Sequence, residues 1–142
     1  MRDLTRAHFA HHTTLDTRWM DNDAYGHVNN VVYYSFFDTV VNRWLIERGV
    51  LAVESSAAIG LVVETQCGYF NPITFPDRVT AGLRVAHIGN SSVRYEIGLF
   101  RNDDVAMAAA GHLVHVYVDR GTRRPLRIPD AVRDALATLR LD

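Results

Sequence analysis

The sequence has little of what marks the specialised classes of protein. Among 142 residues it has one cysteine, four prolines and a formal net charge of −1, and no apolar run approaches the length of a membrane span. A single cysteine, Cys67, can form neither an internal disulfide nor a thiolate metal cage. The missing basic excess argues against a nucleic-acid-binding protein, and the first residues contain no apolar signal segment. We therefore expect one domain, residues 1–142, located in the cytoplasm, with neither a nucleic-acid nor a membrane partner.

A change in hydrophobic period organises the chain. Apolar and polar residues partly alternate over residues 9–19, as in a strand, whereas residues 31–46 are apolar on most of a helical circumference. The polar exceptions in the second run share one narrow stripe: Ser35, Asp38, Thr39, Asn42 and Arg43. Asn29 or Asn30 suits the helix start and Gly49 its end. The pattern predicts one central helix of about five turns, buried on nearly all sides.

The second half of the chain has the period of strands. Alternation over residues 61–69 puts Leu61, Val63, Thr65, Cys67 and Tyr69 on one face and Glu64, Gln66 and Gly68 on the other. Further strand patterns cover residues 79–85, 93–99 and 105–118, and residues 130–141 form a short amphipathic helix pattern. We therefore predict an α+β domain in which an antiparallel five-stranded sheet covers the long helix, followed by a short C-terminal helix.

The densest polar constellation lies between the first strand and the long helix. Asp21, Asp23 and His27 precede the helix start within a few residues. Amides at a helix N-terminus carry a partial positive charge that can polarise a carbonyl oxygen, and a carboxylate beside them can act as base or nucleophile. The same residues also suit an ordinary polar turn followed by a helix cap. A calcium loop is excluded, because Val32 stands where the bidentate glutamate would be required.

The order of residues in this segment resembles the signature of the hotdog-fold acyl-CoA thioesterases, in particular the 4-hydroxybenzoyl-CoA thioesterase-like group. The residues that carry the resemblance are Trp19, Asp21, Asp23, Gly26, His27, Val28, Asn29, Asn30, Tyr33, Phe36, Phe37 and Asp38. The resemblance implies a hotdog fold, in which a five-stranded antiparallel sheet wraps around one long helix.

Carried onto this sequence, the resemblance implies that Asp23 is the catalytic carboxylate, acting as nucleophile or as general base. It implies that the amide of Asn30 polarises the thioester oxygen and that Tyr33 lies near the acyl pocket. His27 can help to position the carboxylate or a water molecule. Asp21 is the alternative carboxylate.

Two further sets of residues are candidate substrate contacts. Glu64 interrupts an apolar strand, either as a second functional carboxylate or as an exposed partner of an arginine. The turn at Asn90, Ser91 and Ser92 is either an ordinary hairpin or, as in related enzymes, the place that holds coenzyme A. The seven histidines predict no metal site, because neighbours such as His11 and His12 point to opposite faces of a strand.

Together these observations predict an enzyme that hydrolyses an acyl-CoA thioester to a free acid and coenzyme A without a metal or organic cofactor. The resemblance implies a homodimer or homotetramer with the active site at a subunit interface. A hydratase or dehydratase of acyl thioesters is an alternative, since His27 lies near Asp23 in sequence. A non-catalytic acyl-CoA-binding protein is the other alternative.

Overall fold

A computed structural model describes residues 1–141, and one long helix lies at its centre. Helix α1 spans Asn30–Glu47. Asn29 caps it, because the Asn29 side chain accepts a hydrogen bond from the Val31 N–H. Gly49 follows the last turn with φ of 74°, a conformation that favours glycine. The predicted helix and both of its end signals are confirmed.

Five antiparallel strands form one sheet against this helix, in the order β1-β3-β4-β5-β2. The strands are β1 His11–Asp16, β2 Ala58–Tyr69, β3 Arg78–Ile88, β4 Ser92–Arg101 and β5 Ala109–Asp119. The C-terminal helix, α2, spans Asp130–Ala137. The arrangement confirms the predicted α+β fold.

Two strands are shorter than their patterns predicted. β1 ends at Asp16, because Trp19–Asp21 form a short 3-10 turn that leaves the sheet. β5 begins at Ala109, and Val105 lies in the preceding turn with 77% of its surface exposed. Apolar character extends past the true strand ends in both places, so the pattern alone overestimated their length.

Helix α1 is less buried than predicted. Its inner face includes Phe37 and Val41, both fully buried against the sheet. The polar stripe at Ser35, Asp38, Thr39 and Arg43 is exposed, as predicted. Two apolar residues are exposed as well, Val31 at 67% and Ile46 at 48%. One face of the helix is therefore open to solvent in the single chain.

A β-bulge corrects the predicted faces of β2. The pairing with β5 shifts between Val62 and Glu64, so Val63 is an extra residue. Leu61 pairs with Val116 and Glu64 with Val114, and those two partners share a face of β5. Leu61 therefore lies on the same face as Glu64, not opposite it. Alternation resumes after the bulge, where Thr65, Cys67 and Tyr69 share the other face.

Phe9 covers the outer face of the sheet at two glycines. A Cβ on Gly82 or on Gly98 would lie 2.6 Å from the Phe9 ring, so the ring occupies the space that these residues leave free. Because Phe9 is only 3% exposed, we expect Phe9→Ala to lower the free energy of unfolding by about 3–5 kcal/mol. Urea denaturation measures this, with Val105→Ala at an exposed position as the control. A loss equal to that of the control would contradict this packing role.

Candidate active site

The segment before α1 folds into a small hairpin. The Asp21 carbonyl accepts a hydrogen bond from the Asn29 N–H at 2.8 Å, Asn22 and Val28 form a β-bridge, and the Asp23 N–H donates to the His27 carbonyl at 2.8 Å. Gly26 at the tip has φ of 83°, which a side chain would make unfavourable. Asp23 lies on one arm of the hairpin, and Asn30 follows the other.

The two oxygens of the Asp23 carboxylate differ. Oδ1 accepts the Tyr25 N–H at 2.8 Å and, at a longer 3.4 Å, the His27 N–H. Within residues 1–141, Oδ2 has no hydrogen-bond partner. The loop amides thus hold the carboxylate in place by one oxygen and leave the other available for chemistry. The bond to His27 is made by its main chain, not by its imidazole ring.

The first amide of α1 is also free. The cap at Asn29 uses its side-chain oxygen for the Val31 N–H at 3.0 Å and its carbonyl for the Val32 N–H at 2.9 Å. In the described part of the chain, the Asn30 N–H has no partner. A helix N-terminus favours negative charge, so this N–H is suited to bind an oxygen on which charge develops.

Asp23 and Asn30 line the same cleft, of about 340 Å³, together with His27 and Tyr33. Burial raises the pKa of Tyr33, and the negative charge of nearby Asp23 adds to that rise. The cleft therefore brings together the predicted catalytic residues Asp23, His27 and Asn30 with Tyr33, which the resemblance placed near the acyl pocket.

None of the predicted site residues lies on the other wall of the cleft. This wall consists of Tyr69, Phe70, Asn71 and Pro72, at the end of β2 and just after it. The Tyr69 hydroxyl donates to the Asn30 carbonyl at 3.0 Å, and its ring packs edge-on against Tyr33 at 4.9 Å between centroids. Burial raises the pKa of Tyr69. Tyr69 thus contacts the first residue of α1 while it faces the cleft.

Asp21 does not reach the cleft. It is 1% exposed, and its carboxylate accepts hydrogen bonds from the Arg18 guanidinium at 3.0 and 2.8 Å and from the Arg18 N–H at 2.7 Å. A carboxylate that is buried and saturated in this way cannot act on a substrate. Of the two candidate carboxylates, only Asp23 is placed for chemistry.

Glu64 lies outside the cleft in the single chain. Its Oε2 is 2.8 Å from Nε2 of His112, whose Nδ1 is 3.1 Å from the Arg94 guanidinium. An arginine nitrogen can only donate, so Nδ1 accepts and the proton lies on Nε2, which donates to Glu64. The group is an interstrand network on the outer face of the sheet.

The turn at Asn90, Ser91 and Ser92 also lies away from Asp23. Ser92 pairs with Val116, whereas Tyr69 at the cleft pairs with Ala109, seven residues along β5 and so about 23 Å away. The turn packs on the C-terminal segment, with the Arg133 guanidinium donating to the Asn90 carbonyl at 3.1 Å. Within one chain, neither this turn nor Glu64 meets the catalytic residues.

Two kinds of feature are absent from residues 1–141. No three His, Cys, Asp or Glu side chains converge there as a metal site would require. None of the helices there has the length and hydropathy needed to span a membrane.

Solved structures with this architecture are numerous. The PA5185 protein from Pseudomonas aeruginosa strain PAO1 is 54% identical, with a TM-score of 0.93 and 96% of this chain and 95% of that chain covered. A thioesterase from Thermus thermophilus, crystallised with coenzyme A and zinc, is 30% identical with a TM-score of 0.78, covering 92% and 95%. A 1,4-dihydroxy-2-naphthoyl-CoA thioesterase from Synechocystis shares the fold at 14% identity, with a TM-score of 0.81 over 89% and 94%.

No curated protein matches the chain. The model of the thioesterase-like superfamily matches residues 17–136, which include the whole hairpin, α1 and all strands after β1. The solved structures with the same fold include thioesterases, and the matched region contains the cleft with Asp23 and Asn30. The chain therefore belongs to the thioesterase-like superfamily and has its hotdog fold.

Proposed function

We propose that this protein hydrolyses acyl-CoA thioesters to a free carboxylic acid and coenzyme A. One observation carries the proposal: an unpartnered carboxylate oxygen of Asp23 and an unpartnered helix amide at Asn30 line one cleft in the described part of the chain. Hydrolysis of a thioester needs little more than these two groups, because the thioester carbonyl is electrophilic and the thiolate leaves readily. The bound coenzyme A of the Thermus thermophilus relative supports the choice of carrier.

The proposed reaction uses the two groups in complementary roles. As a general base, Oδ2 of Asp23 takes a proton from water while the water oxygen bonds to the thioester carbon. The carbonyl oxygen becomes negative and accepts a hydrogen bond from the Asn30 N–H. The carbon–sulfur bond then breaks, releasing the acid and the coenzyme A thiolate, which takes up the proton that Asp23 removed from water, so that the carboxylate is restored. As a nucleophile, the same oxygen attacks the thioester carbon and displaces the coenzyme A thiolate, forming an acyl–Asp23 anhydride that water then hydrolyses to the acid and the free carboxylate.

The remaining predicted contacts require a second protomer. Glu64, Asn90, Ser91 and Ser92 do not reach the cleft of their own chain, so contact with substrate would have to be made across a subunit interface. The edge strand β2 supports this proposal, because Leu61, Val62 and Val63 are 37%, 47% and 60% exposed on a strand with one unpaired side. The proposed assembly is a homodimer or homotetramer, and the proposed location is the cytoplasm.

A hydratase is disfavoured by the site. Such an enzyme would use a histidine ring paired with a carboxylate, whereas Asp23 bonds to the main-chain amides of Tyr25 and His27. The proposal is tested by incubating the protein with short-chain, long-chain and aromatic acyl-CoAs and with an enoyl-CoA, and by measuring free thiol and, for the enoyl-CoA, its absorbance. We expect thiol release that follows enzyme concentration. Loss of enoyl absorbance without thiol release would instead indicate a hydratase, and binding without either would indicate a non-catalytic protein.

A further inference from the structure

Asp21 lies at the base of the hairpin that separates the two proposed catalytic groups. Its carbonyl accepts the Asn29 N–H at 2.8 Å, so its main chain bonds directly to the residue before Asn30. Asp23 lies two residues further along the same arm as Asp21, and Asn30 follows the opposite arm. The relative position of the Asp23 carboxylate and the Asn30 amide therefore depends on how the two arms are joined at this base.

The upper part of the hairpin has its own anchors. Asn22 Oδ1 accepts the Phe75 N–H at 3.1 Å, and the Val28 N–H donates to the Ile73 carbonyl at 2.7 Å. These bonds attach the hairpin to the segment between β2 and β3. Neither bond involves the base of the hairpin, which is held by Asp21 and Arg18.

The Asp21 side chain anchors the base of the hairpin to Arg18. Its carboxylate is 1% exposed, whereas 64% of the Arg18 side chain is exposed, so a surface guanidinium reaches inward to a buried charge. Two of the guanidinium nitrogens, Nε and Nη2, donate to Oδ1, and the Arg18 main-chain N–H donates to Oδ2. A buried carboxylate needs such compensation, and a planar guanidinium restricts its orientation. The bonds thus fix both the location and the rotation of Asp21.

We infer that Asp21 is a positioning residue, which acts through Arg18 and the hairpin base to hold the Asp23 carboxylate at a fixed separation from the Asn30 amide. The inference rests on the proposed function and assigns to Asp21 a role that involves no contact with substrate. Its effect should fall on the chemical step, because a displacement of about 1 Å between reacting groups can cost about 10²-fold in rate.

The test is Asp21→Asn in the full-length protein. Asparagine keeps the size and one acceptor oxygen but removes the charge that pairs with Arg18. We expect kcat for thiol release to fall about 10-fold to 100-fold with KM changed less than about 2-fold, at a temperature where the protein is fully folded. A purely structural role would reduce activity only as far as it reduces the folded fraction.

The partner variants provide the controls. Arg18→Lys keeps the charge and should retain more of kcat than Arg18→Gln, and Arg18→Gln with Asp21→Asn should cost no more than Asp21→Asn alone. Hydrogen exchange gives a readout without substrate: Asp21→Asn should speed exchange of the Asn29 and Asp23 amides but not of the β4 amides. A wild-type kcat together with unchanged exchange at Asn29 overturns the inference. Absence of thioesterase activity in the wild type, with faster exchange in the variant, overturns the proposed function and leaves the positioning role supported.

Discussion

Asp23→Asn should lower kcat for acyl-CoA hydrolysis by about 10²- to 10⁴-fold, the contribution usual for a general base, without unfolding the protein. Asparagine retains the Oδ1 that accepts the Tyr25 and His27 amides, so the hairpin keeps its internal bonds. What it loses is the charge and basicity of Oδ2, the oxygen without a partner in residues 1–141. The measurement is thiol release under saturating acyl-CoA, with circular dichroism to verify the fold.

Asp103→Asn is the matched control for Asp23→Asn. Asp103 is an exposed aspartate in the turn between β4 and β5, and its substitution should leave kcat unchanged. Cys67 adds little background to a thiol assay near pH 8, because burial raises its pKa to about 11 and little thiolate is present. If Asp23→Asn kept wild-type turnover, Asp23 would have no part in the chemistry and the proposed mechanism would be wrong.

Local signals made the long helix and its start predictable from sequence. Asn29 caps α1 because a short carboxamide can bond back to the first turn, and this preference is a property of the residue itself. Gly49 ends the helix for an equally local reason, its positive φ. The proposed catalytic residues share one short segment that includes this cap, so their proximity also follows from the local chain.

The opposite wall of the cleft depends on long-range topology. Tyr69 reaches Asn30 only because β2 is an edge strand beside β5 and ends next to the start of α1. Nothing in the residues around Tyr69 encodes that neighbour. The bulge at Val63 is similar, because the apolar run Leu61 to Val63 is compatible with regular alternation and only the pairing with β5 shows the extra residue.

The residue types alone did not separate Asp21 from Asp23, and only the family resemblance favoured Asp23. Both are aspartates in one polar loop, and both suit a turn, a cap or a catalytic role. Their environments separate them: Arg18 and the hairpin base enclose Asp21, whereas Asp23 faces the cleft. A contact between a surface arginine and a buried carboxylate three residues later requires the 3-10 turn at Trp19–Asp21, whose position the strand pattern obscured.

His115 should make the protein less stable in mild acid. Its side chain lies under α1 with 1% exposure, its ring fills the space above Gly60, and its Nδ1 has no hydrogen-bond partner within residues 1–141. Burial lowers the pKa of His115 from 6.5 to about 4, although the charge of Asp38 acts in the opposite direction. The folded state therefore excludes a proton that the unfolded state accepts.

The direction of the change in stability follows from the linkage between protonation of His115 and folding. Between pH 6.5 and about pH 4 the unfolded chain binds more protons at this position, so the stability present above pH 6.5 is lost as the pH falls through this range. At 1.36 kcal/mol per pKa unit the full loss is roughly 3 kcal/mol, most of it reached by about pH 4.5. Urea denaturation at about pH 7 and about pH 4.5 measures it.

The comparison variant is His115→Phe, which keeps an aromatic ring above Gly60 but cannot be protonated. Carboxylates elsewhere in the chain also titrate in this range, so the informative quantity is the difference between the two proteins in the free energy lost between the two pH values. We expect the wild type to lose roughly 2–3 kcal/mol more than His115→Phe, whereas His87→Gln, at an exposed histidine, should behave as the wild type does. Equal losses in the wild type and His115→Phe would show that the buried ring is not the group that senses acid. A larger loss in the wild type would identify protonation of the buried His115 side chain as a cause of the lost stability.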